Sequence, residues 1–168
     1  IKEGAERGCR ISQYNLACFY DVFPQGIIRA LEYPTSPMSC ILGGEPDHVL
    51  SLPSPDMALR WYREAAKRGD PNASYRLSVL LRDAGEVTEA ERHAGNAPRQ
   101  FMEEGRRFAE GDGYVQDPFK AYTHYLMAEK LGTETGVERG PLEEILNVKE
   151  AEDADLNAGR RLSALAVR

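Results

Sequence analysis

Three histidines, three cysteines and one acidic run are the residues of this chain with chemistry to offer. His48 lies in a segment rich in proline and glycine, His93 in a polar helical stretch, and His124 where an equivalent helix carries Trp61. No HExxH or paired-histidine spacing joins any of them, so no zinc site is predicted, and His124 reads as a helix-packing residue. Asp112 and Asp117 flank Gly113, but the twelve-residue ligand pattern of a calcium loop is absent. GGEP at Gly43–Pro46 lacks the following Gly-Lys-Ser/Thr of a phosphate loop. Cys9, Cys18 and Cys40 are an odd set without CxxC spacing, and read as small buried thiols rather than a disulfide framework. Asn72-Ala73-Ser74 is a formal sequon, placed in a first helical turn. Glu143, Glu144, Glu150, Glu152, Asp153 and Asp155 read as a solvated helix face, with a docking surface for a basic partner as the alternative. The sequence thus predicts no catalytic residue, cofactor or metal.

Composition narrows the classes further. The chain has 168 residues, 42% hydrophobic and 29% charged, with a net charge of −6. That size and balance suit a soluble globular domain or short array with a real core. The negative charge repels phosphate backbones and anionic lipid, so no nucleic-acid partner is expected. No apolar run reaches the ~20 residues of a membrane span. The cysteine usage favours an intracellular or organelle interior over a secreted setting.

Any functional residue must be positioned by helices, whose signals recur. Ser54-Pro55, Asp70-Pro71 and Asp117-Pro118 each put a capping side chain before a proline suited to the first helical position. Ala97-Pro98 and Gly140-Pro141 repeat the proline without the good cap, as further starts. Gly8, Gly69 and Gly132 close apolar periodic runs, with Asn96 in the equivalent place of a fourth. The spacing from Gly69 to Asn96 is short, which predicts a stunted helix around Glu89–Ala94. Ala58, Trp61, Tyr62, Ala65 and Ala66 form one apolar stripe, and Ala121, Tyr125 and Ala128 repeat it sixty-three residues later. YREAAKRG at Tyr62–Gly69 repeats IKEGAERG at Ile1–Gly8 with a shift of sixty-one, so Ile1–Gly8 reads as the end of a helix whose partner would lie upstream. Short turns between helices of roughly 10–15 residues make neighbours antiparallel.

These residues carry a family resemblance. GDGYVQDPFKAYTHYLMAEKLG resembles the Sel-one-like repeat, a relative of the tetratricopeptide repeat, through Gly111, Gly113, Asp117, Lys120, Ala121, Tyr125, Ala128 and Gly132. QYNLACFY at Gln13–Tyr20 resembles the repeat's first helix and ALRWYREAAKRG at Ala58–Gly69 its second. The departures are Tyr114 where valine is usual, Ala17 for glycine, and Glu104 at a normally apolar position. The tail from Arg139 resembles the terminal helices that close such arrays.

The resemblance implies an all-α fold, an α-solenoid of antiparallel helix pairs forming a short right-handed superhelix. Residues 1–132 would form the repeat array, interrupted by one long irregular insertion at about 21–53, and residues 133–168 the C-terminal capping helices. The insertion carries Ile27, Ile28, Leu31, Ile41, Leu42, Val49, Leu50 and Leu52, so it is expected to pack against a partner or the array's own edge. The implied function is non-catalytic: a scaffold or adaptor for protein–protein contacts, as a subunit of a larger assembly. A hydrolase-like or ligand-binding member of the family, and an RNA-binding helical repeat, stay open as alternatives. The first helix of each pair lines the groove in this family. Asn15 and Arg76, equivalent at a shift of sixty-one, and Arg106 and Arg107 on the later helix are the expected partner-binding residues.

Overall fold

The computed structural model describes residues 1–21 and 54–166. The 21–53 insertion, apart from Asp21, lies outside the described residues, and so do Cys40 and His48. The described chain is all-α, with eight helices and no strand among the described residues: α1 (Lys2–Glu6), α2 (Arg10–Asp21), α3 (Pro55–Lys67), α4 (Pro71–Asp83), α5 (Val87–Glu110), α6 (Pro118–Lys130), α7 (Gly136–Glu143) and α8 (Val148–Ala166). They group into two compact units, Ile1–Arg68 and Gly69–Arg168. Both C-terminal helices belong to the second.

The three capped starts form as their sequences require. Ser54 Oγ accepts from the backbone N–H of Met57 at 3.3 Å, Asp70 Oδ1 from Ala73 at 2.9 Å, and Asp117 Oδ1 from Lys120 at 2.9 Å. Each bond satisfies an N–H that the helix itself leaves unpaired, and contributes about 1 kcal/mol. A proline follows each cap at the head of the helix. The stops at Gly8, Gly69 and Gly132 all take left-handed backbone angles. Gly8 has a second reason to lack a side chain, since a Cβ there would come within 2.6 Å of the Arg68 guanidinium.

In the first unit, Gln13 Nε2 donates to the Ala5 carbonyl at 3.1 Å, tying α2 back to α1. The stripe of α3, Ala58, Trp61, Tyr62, Ala65 and Ala66, is buried throughout. Tyr62 meets α2: its ring centroid lies 6.0 Å from that of Tyr14, and its hydroxyl donates to Asp21 Oδ2 at 2.9 Å. Burial, then the Cys18 thiol and the Asp21 carboxylate beside it, push the Tyr62 hydroxyl pKa up. The two described thiols do not fit the buried reading. Cys9 is exposed and Cys18 half-buried. Cys9 sits in the turn before α2, where a hydrogen bond with Ser12 lowers its pKa.

In the second unit, α4 packs on α5, α5 on α6, and α8 on both α6 and α4. Ala97, Phe101, Ala121, Met127, Ala128, Ala154 and Ala158 are fully buried at the centre. Alanines on facing helices let the axes approach, and the rings fill the gaps beside them. Gly105 meets α6 with no room for a side chain: a Cβ there would lie 2.7 Å from the Tyr125 ring and 3.2 Å from the Ala121 carbonyl oxygen.

Two sequence expectations fail here. Asn96 does not end a helix, and Ala97-Pro98 does not begin one: α5 runs unbroken for 24 residues with Pro98 inside it. A residue with a β-carbon resists the left-handed closing conformation by about 1–2 kcal/mol, and no described residue other than glycine adopts it. The buried stripe Ala90, His93, Ala97, Phe101, Glu104 continues at three- and four-residue steps straight through Pro98, so packing holds the helix where proline weakens it. The predicted stunted helix at Glu89–Ala94 is the first part of this long one, and His93 is buried rather than on a polar face. Likewise Gly140-Pro141 does not open a helix. Pro141 lies inside α7, which buried Leu142 anchors to the core.

Candidate functional site

The residues expected to meet a partner do not share one environment. Asn15 is half-buried on α2. Arg76, expected on an open helix face, is buried, and its Nη1 donates to the Leu165 carbonyl at 3.2 Å. That contact places a cation at the C-terminus of α8, where the helix dipole favours one.

Arg106 and Arg107 stand at the end of α5, and there a charged face is assembled. Arg106 Nη2 donates to Glu103 Oε1 at 2.9 Å, and its Nη1 bonds Glu110. Arg107 Nε lies 3.3 Å from Glu103 Oε1 and its Nη1 3.8 Å from Glu104 Oε2. Asp112 closes the cluster 3.9 Å from Arg106. The hydrogen bond with Arg106 lowers the Glu103 pKa against the opposing effect of burial, and the same bond pushes that of Arg106 up. Three- and four-residue spacings on one helix put these groups side by side. Exposed pairs of this kind contribute little stability, so what they form is a mixed-charge surface that displays two guanidiniums among carboxylates.

A buried polar layer supports that face. Glu104 is buried, and Tyr114 donates its hydroxyl to Glu104 Oε1 at 2.8 Å. Tyr114 and Glu104 both depart from the repeat pattern, and the structure shows that they answer one another. Each is visible in the sequence; their pairing is not, because the turn that brings them together lies between them. The Tyr114 ring stacks on Phe108 with centroids 4.5 Å apart, and Phe108 stacks on His124 at 5.3 Å.

His124 is a packing residue, as expected, with added hydrogen bonds. Its Nδ1 lies 2.7 Å from the Lys120 carbonyl, which can only accept, so Nδ1 carries the hydrogen. Nε2 then faces Arg161 Nη2 at 3.5 Å as an acceptor, and Arg161 reaches Asn72 Oδ1 at 3.4 Å. The formal sequon is absorbed in the same place: Asn72 receives Arg161 and Ser74 is fully buried. Arg161 did not stand out as structural in the sequence, because its partners Asn72 and His124 come from distant elements.

The acidic run is divided. Tyr122 donates to Glu143 at 3.1 Å, Lys130 pairs with Asp155 at 2.8 Å, and Glu150 closes a reciprocal cap with Asn147 at the head of α8. Among the described residues no group of three His, Cys, Asp or Glu is placed to hold a metal, and no helix is long and apolar enough to cross a membrane.

Among solved structures, the chain is similar to a protective antigen present in uropathogenic Escherichia coli strains, displaying an SLR fold. The identity is 23% and the TM-score 0.39, over 98% of this chain and 40% of that one, so this chain spans two fifths of that protein's length. No family model and no curated protein matches the chain.

Proposed function

We propose that the chain is a non-catalytic helical-repeat scaffold or adaptor that holds a protein partner as a structural subunit of a larger assembly. The observation that carries this reading is the mixed-charge face at the end of α5, where Arg106 and Arg107 pair with Glu103, Glu104, Glu110 and Asp112. Mixed charges of this kind select a partner by complementarity. Arg106, Arg107 and Asn15 are the contact residues in this reading. Arg76 contributes from beneath, by fixing the end of α8.

Affinity purification of the intact protein under mild conditions, followed by light scattering and cross-link mapping, tests the proposal. A stoichiometric protein partner cross-linked near α5, and lost with Arg106→Glu combined with Arg107→Glu at unchanged helicity, supports it. A monomer with no stoichiometric partner, or a partner indifferent to both charge reversals, overturns it.

A further inference from the structure

The outer face of α8 is a second feature that the packing does not explain. Ala154, Ala158 and Leu162 turn to the core at four-residue steps. Val148, Glu152 and Leu156 recur at the same step on an exposed face away from the core, with the Glu152 carboxylate between the two aliphatic side chains. Val148 is 77% exposed and Leu156 51%, while Ile145, in the turn that leads into the helix, is 63% exposed. Single exposed aliphatic residues are ordinary; here Ile145, Val148 and Leu156 follow one another along the turn and first half of the helix, interleaved with carboxylates, so the exposed face alternates aliphatic and acidic groups.

This end is also rigid. The reciprocal Asn147–Glu150 bonds fix the first turn, and the N–H groups of Ile145 and Leu146 both donate to the Leu142 carbonyl. Leu142 itself is buried. Farther along the helix, a methyl group added at Gly159 would meet nothing within 4 Å, so the face is open above it.

Charge decides what fits. From Glu143 to Asp155 the sequence has six carboxylates and a single lysine. Tyr122 and Arg139 engage Glu143, Lys130 engages Asp155, and the helix cap engages Glu150. Among the described residues no cation is bonded to Glu144, Glu152 or Asp153, which stay exposed beside and between these aliphatic side chains. Such a rim repels anionic lipid and a second copy of this acidic chain, and attracts lysine and arginine.

We infer that the outer face of α8 docks a basic amphipathic helix of a partner protein, with aliphatic side chains on Ile145, Val148 and Leu156 and cations on Glu144, Glu152 and Asp153. This rests on the scaffold reading and names a second contact surface for it.

The probe is a fluorescent synthetic helix with leucines at i, i+3, i+4 and i+7 and lysines elsewhere, titrated against the intact protein by anisotropy. A scrambled peptide of the same composition and a glutamate-for-lysine version serve as controls. The patterned lysine peptide should bind, and the controls should not. Val148→Asp with Leu156→Asp, and separately Glu152→Lys with Asp153→Lys, should each weaken binding by about tenfold or more. All four positions are exposed, so helicity should be unchanged. Equal binding of the scrambled peptide, or unchanged affinity in both double variants, overturns the inference. Self-association abolished by Val148→Asp with Leu156→Asp would also overturn it, by showing a second copy as the occupant. If the peptide fails while a natural partner cross-links to the Arg106–Arg107 face, this surface is refuted and the scaffold reading stands.

Discussion

Two turns that begin alike in sequence end differently. Asp117-Pro118 separates α5 from α6, whereas Asn96-Ala97-Pro98 lies within α5 and separates nothing. Both carry a proline within two residues of a short polar side chain. At the first, Gly111 takes the left-handed angle, Asp117 caps the next helix, and Gln116 Nε2 bonds back to the Ala109 carbonyl at 2.7 Å. At the second there is no glycine to close the helix, no cap before the proline, and a buried stripe running across the junction. Proline alone therefore does not punctuate this chain. A stop, a cap and a break in the apolar stripe must coincide.

That comparison can be broken most sharply at the prolines. Pro98→Ala restores a backbone donor inside a helix and should stabilise the protein by up to about 3 kcal/mol. Pro118→Ala, at a first-turn position whose N–H has no helical acceptor, should change stability by less than about 0.5 kcal/mol. Equal effects in chemical denaturation would show that the two junctions are not distinct.

The stop comes next in size. Gly111→Ala forces a β-carbon into φ 77° and should destabilise by about 1–2 kcal/mol, read from the same denaturation midpoint. The cap follows: Asp117→Ala should cost about 1 kcal/mol and increase amide exchange in the first turn of α6.

The smallest effect is a pH dependence confined to one cap. Burial pushes the Asp117 carboxyl up, but the Lys120 N–H and ammonium outweigh it and leave the pKa lowered. A carboxyl lowered by folding gives stability that is complete above its unfolded value of about 3.9 and is lost as pH falls through the lower folded value. The α6 cap should therefore fray under acid. The α3 cap, an untitratable Ser54, should not. Amide exchange at Lys120 and Met57 measured down the acid range would separate them, and parallel behaviour would refute the assignment.

Much of this fold was legible because its signals are local. The three proline-headed starts, the closing glycines and the alanine–aromatic stripes of α3 and α6 need only neighbours in sequence. The errors at Asn96 and Pro141 came from weighing a proline without the packing that overrides it. The contact residues were harder. Arg106 and Arg107 could be placed on an exposed helix, but Arg76 looked equivalent to Asn15 until the end of α8 came to rest upon it. Glu104 looked like a defect until Tyr114 supplied its partner. Long-range pairs of this kind leave no mark in a single sequence.

The most direct test of the scaffold account is hydrogen exchange of the intact chain, free and in the assembly with which it purifies. The account predicts added protection over Glu103–Glu110 of α5 and the first half of α8 in the assembly, with the buried stripe of α6 equally protected in both states. Protection unchanged at both surfaces, or the absence of any assembly, would contradict it.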